Sequence, residues 1–125
     1  MLRILIADDE YLAIEAVKKI IKNNIEDVNI VATASSGKEA IIKVNELSPD
    51  IAIMDIQMPH MNGYEATKNI RGLPDGRCRI PIIAMTANEF EEDRKRAIES
   101  GMNGYVTKPI KIEELISTIK KILKS

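Results

Sequence analysis

The feature that most constrains this chain is a regular alternation of two patterns. Five short apolar runs, at residues 2–7, 29–34, 51–54, 82–85 and 104–106, are each too short for a helix. Between and after them lie stretches with helical spacing. Leu12, Ala16 and Ile20 recur four apart, with Ile21 beside the last. Ser36 and Glu39 have capping-box spacing, Ala40, Ile41, Val44 and Leu47 continue one face, and Pro49 stops the run. Residues 64–71 and 91–100 read as helices, the second ending at Gly101, a favoured C-terminal cap. Ile112, Leu115, Ile116, Ile119, Ile122 and Leu123 trace the stripe of a last helix over 111–125. Its Lys120, Lys121 and Lys124 suit the negative end of the helix dipole. Strand–helix alternation five times over predicts an α/β fold, a parallel sheet with helices on both faces. Residues 72–79 read as the one long surface loop.

Composition narrows the function classes. The 125 residues fit one domain, 1–125, without a linker, repeat or low-complexity tract. With 45% hydrophobic and 30% charged residues, a soluble domain with a normal core is expected, built from aliphatic side chains because only 3% are aromatic and none is Trp. A formal charge of −1 provides no electrostatic footprint for nucleic acid or an anionic membrane. No apolar run approaches the roughly 20 residues of a membrane span, and the first residues lead into a strand rather than a signal peptide. The single cysteine, Cys78, has no Cys or His at ligand spacing, so a reducing, cytoplasmic compartment is expected and a metal role for it is not.

In an open parallel sheet the binding crevice lies beyond the carboxyl ends of the strands. The first strand is followed there by Asp8-Asp9, the third ends on Asp55, the fourth on Thr86, and the fifth runs into Thr107-Lys108-Pro109. The second offers Ser35-Ser36, accounted for by capping. Three carboxylates, a hydroxyl and an ammonium therefore converge at one sheet edge. Three carboxylates need a cation between them, and a hard divalent ion such as Mg²⁺ accepts oxygen ligands of this kind. A carboxylate can attack phosphorus to form an aspartyl phosphate, and phosphoryl transfer is then mostly positioning and charge neutralisation. Lys108 can supply charge and Thr86 a hydrogen bond, and an ionised Asp55 needs no general base. Because successive strand residues point to opposite faces, Asp8 and Asp9 can both face the crevice only if the strand ends by about Ala7.

Each of these residues also has a plainer reading. Asp8 or Asp9 could cap the helix beginning near Tyr11, and Asp55 could be a turn former before Ile56-Gln57-Met58-Pro59. Thr86 could cap the next helix, and Lys108 could be a solvated lysine. Coincidence weighs against all four together, since four separate strand ends carry groups useful to one reaction. His60 reads as a solvated loop residue, and the methionines as packing, with Met58 and Met61 set apart as exceptions because they lie near the acidic pocket. Tyr105 reads as a core ring with its hydroxyl at the surface, close enough to the Lys108 loop to take part in a switch.

Asp8-Asp9, Asp55-Ile56-Gln57-Met58-Pro59 with Met61-Asn62-Gly63, Thr86-Ala87 and Tyr105-Val106-Thr107-Lys108-Pro109 together resemble the receiver domains of two-component signalling. The resemblance covers essentially the whole chain, and the ordered set is far more specific than any one motif. It implies a doubly wound, flavodoxin-like (βα)5 fold with strand order 2-1-3-4-5. It implies Asp55 as phosphoacceptor, with Asp9, Asp55 and the Gln57 carbonyl on Mg²⁺ (or Mn²⁺ in its place) and Asp8 assisting through water. Lys108 would pair with the phosphoryl oxygens. Thr86 and Tyr105 would move together as the switch, altering the surface of the fourth helix, fifth strand and fifth helix. Lys108-Pro109 matches a bond usually cis in this family, and Gln57 and Asn88 match positions that influence phosphoryl lifetime.

The implied partners are a histidine kinase or histidine phosphotransfer domain and an output domain or target protein, with no direct contact to nucleic acid or membrane. The state implied is a monomer or a phosphorylation-promoted dimer. Such a module catalyses only its own phosphorylation and dephosphorylation. Segments 61–67 and 83–88 look most like receivers of hybrid sensor kinases, and the N-terminal third more like those of transcription regulators. Three competing functions fit less well. An aspartyl phosphatase would carry a second Asp where Gln57 stands. A nucleotide- or flavin-binding domain would want a Gly- or Ser/Thr-rich loop in place of Asp8-Asp9-Glu10. A pseudo-receiver would lack Asp55 or Lys108.

Overall fold

The computed structural model describes residues 1–87 and 91–124, apart from the side chain of Cys78. Asn88, whose influence on phosphoryl lifetime the resemblance implies, and Ser125 lie outside the described residues. Strands β1 (Leu2–Ala7), β2 (Val28–Ala34), β3 (Ile51–Asp55), β4 (Ile82–Thr86) and β5 (Gly104–Thr107) alternate with helices α1 (Tyr11–Asn24), α2 (Gly37–Leu47), α3 (Gly63–Arg71), α4 (Glu91–Ser100) and α5 (Ile112–Lys124). The sheet is parallel throughout, in the order β2-β1-β3-β4-β5. This is the doubly wound, flavodoxin-like arrangement expected from the sequence.

Strand alternation divides the core into two layers. Ile4, Ile6, Ile51, Ile53, Ile83, Met85 and Val106 face α1 and α5, where they meet Ile14, Val17, Ile21, Leu115 and Ile119. The intervening Leu5, Ala7, Ala52, Met54, Ile82 and Ala84 face the other side and pack with Ala40, Val44, Ala66, Ile70 and Ala97. Met58 is buried in this second layer and Met61 packs on it, so both are packing residues.

Local signals account for most helix ends. Ser36 Oγ accepts the Glu39 amide at 3.2 Å, and α2 stops at Ser48 in the left-handed region, just before Pro49. A full capping box, Asn62 with Glu65, starts α3, a second instance of the spacing recognised at Ser36 and Glu39. Gly101 follows α4 with φ +106°, a conformation that favours glycine. Capping by Asp8 or Asp9 does not occur: Glu10 is the N-cap of α1 and makes no side-chain cap bond. The stretch expected as one loop holds a 3-10 helix at Asp75–Arg79. There Arg77 pairs with Asp75 at 3.0 Å and donates to the Asn45 carbonyl at 2.9 Å, tying the turn to α2.

Candidate functional site

Strand register builds the site before any side chain is considered. Ala7 pairs with Met54, so Asp8 and Asp55, the next residue of each strand, stand side by side. Thr86 pairs with Thr107, which carries Lys108 one residue further to the same edge. The Lys108 amide donates to the Thr86 carbonyl at 2.7 Å and holds this turn against the end of β4. The Asp8 amide does the same to Ala34 at 2.9 Å. β1 ends at Ala7, so the chain is already turning at Asp8, as the Asp8-Asp9 pair requires. The Lys108–Pro109 bond is cis.

The side chains then meet at one ammonium. Lys108 Nζ lies 2.8 Å from Asp8 Oδ2 and 3.4 Å from Asp55 Oδ2. Asp8 is fully buried, and its other oxygen accepts the Glu10 amide at 2.9 Å. Asp55 is 5% exposed, and its Oδ1 accepts the Gln57 amide at 3.4 Å. Thr86 is buried at the end of β4. Gly63 lets α3 begin against the end of β3: a Cβ on Gly63 would stand 2.7 Å from the Asp55 carbonyl oxygen, and the Gly63 amide donates to Ile56 O at 2.8 Å.

Burial raises the Asp55 carboxyl to about 6, with repulsion from Asp8 adding to it and Lys108 and the Gln57 amide opposing. For Lys108, burial works to lower the pKa, but its hydrogen bond to Asp8 and the charges of Asp55 and Asp8 outweigh it and hold the ammonium above its ordinary value. One cation thus faces several carboxylates, a deficit of positive charge.

Carboxylate oxygens of Asp8, Asp9 and Glu10 lie within 4.8 Å of one another, the one such acidic group among the described residues. Asp55 stands beside this group, linked to Asp8 through Lys108, while Asp9 and Gln57 are exposed at its rim. The donors are all oxygens, two of the carboxylates are buried, and charge is unbalanced, so the residues fit a hard divalent cation such as Mg²⁺. Glu10 has no role predicted from the sequence, although the acidic run Asp8-Asp9-Glu10 is the signal for one. Tyr105 lies on β5, half-buried against the α3/α4 layer, with the Arg94 guanidinium 5.2 Å from its ring centroid. His60 is exposed.

Residues 4–120 match the response regulator receiver domain model. The chain belongs to this family. This receiver is 32% identical over 123 residues to response regulator GacA of Pseudomonas viridiflava, covering 98% of this chain and 55% of that protein. It is 35% identical to hybrid signal transduction histidine kinase L of Dictyostelium discoideum, over 95% of this chain and 7% of the kinase. The chain therefore spans about half the length of GacA and a small part of the kinase. In structure it resembles the receiver domain of a sensor histidine kinase from Pseudomonas aeruginosa PAO1, solved with magnesium in the active-site cleft. That comparison has a TM-score of 0.85 and 30% identity, covering 99% of this chain and 98% of the other. Both sub-patterns seen in the sequence, hybrid-kinase and regulator receivers, thus recur among its relatives. No helix among the described residues is long and apolar enough to cross a membrane.

Proposed function

We propose that residues 1–125 form one receiver module that accepts a phosphoryl group on Asp55 from a phosphohistidine. The donor is a histidine kinase or histidine phosphotransfer domain. The observation that carries this reading is the Lys108 ammonium held between two buried carboxylates, Asp8 and Asp55, at the carboxyl edge of the sheet.

With its carboxyl at about 6, Asp55 is mostly ionised at neutral pH and attacks without a base. An Asp55 oxygen bonds to phosphorus as the P–N bond to the donor imidazole breaks, and the electron pair leaves on that nitrogen. Asp9, Asp55 and the Gln57 carbonyl would hold Mg²⁺ (or Mn²⁺), with Asp8 assisting through water and Glu10 at the rim. When bound, the ion offsets the carboxylates and the phosphoryl oxygens. Lys108, already poised beside Asp55, transfers its ion pair to a phosphoryl oxygen. Thr86 donates its hydroxyl to another, and Tyr105 turns inward as Thr86 moves, changing the surface formed by α4, β5 and α5. A switch of this kind needs the phosphoryl group to contact the two states differently, and Lys108 and Thr86 supply that difference.

The module acts in the cytoplasm and turns over no external substrate. It alters an output domain or target protein and binds neither nucleic acid nor membrane directly, either as a monomer or as a dimer promoted by phosphorylation. Intact mass after incubation with acetyl phosphate and Mg²⁺ tests the chemistry. One phosphate-sized adduct, absent without the metal and from Asp55→Asn, is the expected result. An equal adduct on Asp55→Asn would show that the acceptor lies elsewhere.

A further inference from the structure

α4 is attached to the body of this receiver unlike any other helix. Among the described residues it buries only Ala97 and Ser100, too little apolar surface to fix its position. Its C-terminal end is nevertheless firmly held. Arg71, at the end of α3, donates from Nε and Nη2 to the Gly101 carbonyl at 3.0 and 2.6 Å and from Nη2 to Asn103 Oδ1 at 2.8 Å. Its Nη1 reaches the Ile80 carbonyl at 2.8 Å, and Asn103 is itself bonded to Ile82 in both directions. These charge-assisted bonds fasten the α4–β5 turn to the start of β4.

The middle of the helix is held differently. Arg94 and Arg96 are two positions apart, so they leave the helix on opposite flanks. On one flank the Arg94 guanidinium lies 5.2 Å from the Tyr105 ring centroid, and on the other Arg96 lies 4.4 Å from that of Tyr64. Tyr64 is buried at the start of α3 and donates its hydroxyl to the Asp93 carbonyl at 3.3 Å. Both arginines are exposed, which makes each cation–π contact weak and breakable.

We propose that α4 is a lever hinged at Gly101 by Arg71 and clasped by Arg94 on Tyr105 and Arg96 on Tyr64, and that the Arg94 clasp holds the resting position. This rests on the proposed function, in which Tyr105 turns inward. A cation–π contact needs the ring face beneath the guanidinium, so that turn removes the face from under Arg94. One flank of α4 then opens while the hinge stays fixed. Arg94 therefore opposes activation without touching the acidic site.

Beryllofluoride with Mg²⁺, a stand-in for the phosphoryl group, provides one readout, and hydrogen exchange of α4 amides in the metal-free protein provides another. Arg94→Met should bind beryllofluoride about two- to fivefold more tightly, the range expected for an exposed cation–π contact. Its α4 amides should exchange faster by a similar factor, and Arg94→Lys, which keeps a cation, should fall between. A packing role alone would lower the denaturation midpoint and leave beryllofluoride affinity unmoved, and that result would overturn the clasp. If the wild type binds no beryllofluoride, or Asp55→Asn binds it equally well, the phosphoacceptor reading itself fails and the clasp with it.

Discussion

The two faces of the sheet are built from different side chains. Toward α1 and α5 the strands present mainly isoleucine, and α5 answers with Leu115 and Ile119, both fully buried. Toward α2, α3 and α4 the same strands present Ala7, Ala52 and Ala84 among larger residues, and α4 answers with little more than Ala97. Bulky, stiff side chains make the first face a deep anchor for the strand ends that carry Asp8 and Asp55. The second lets helices approach closely but holds α4 by polar and cation–π contacts instead. Large movements are drawn from weakly packed elements, so under the proposed switch the chemical edge stays fixed and α4 is the cover that adjusts.

The sharpest way to break this comparison is to thin the anchored face. Leu115→Ala should cost about 2–5 kcal/mol in urea unfolding, the range for emptying a buried aliphatic site. A loss below that of Ala97→Gly would show that the faces do not differ as described.

Next in size is a gain, at the edge where the faces meet. The Asp55 carboxyl is raised in the folded protein from 3.8 to about 6, so the native state holds this proton more tightly than the unfolded chain does. The group costs nothing below pH about 4, costs progressively more between about 4 and 6, and costs its full amount above that. Asp55→Asn should therefore stabilise the metal-free protein by about 2–3 kcal/mol at pH 7.5 and by almost nothing at pH 4. Equal gains at both pH values would count against burial and Asp8 as the cause.

On the thin face, Ala97→Gly should cost about 1–2 kcal/mol, from one buried methyl and lost helix propensity. Its signature is faster hydrogen exchange in α4 with β3 unchanged. Smallest is Asn62→Ala, which removes the capping box of α3 and should cost about 1 kcal/mol by denaturation. If α3 is as loosely held as α4, its exchange will rise beyond what that loss predicts.

Much of this was legible in the residue order. The apolar runs located all five strands to within about a residue at each end, because strands buried on both faces read as near-continuous apolar runs. The same boundaries identified Asp8, Asp55, Thr86 and Lys108 as strand-end residues, since the residues bordering a strand are set by chain position alone. The Asn62–Glu65 box has the same local spacing as Ser36 and Glu39 and is equally legible in the sequence. The 3-10 helix at Asp75–Arg79 is not, because Arg77 reaches across to Asn45 and no local period announces it.

What the residue order determined by itself was therefore the alternation, the fold class and the chemical types gathered at one edge. Tertiary structure alone decided that Lys108 lies between Asp8 and Asp55, that Glu10 joins Asp8 and Asp9, and that α4 is gripped by Arg71 at one end and by two tyrosine rings along its flanks. The reason is physical. Periodicity and capping arise between near neighbours in the chain, whereas ion pairs and ring contacts depend on the register and packing of elements far apart in sequence, which only the folded sheet brings together.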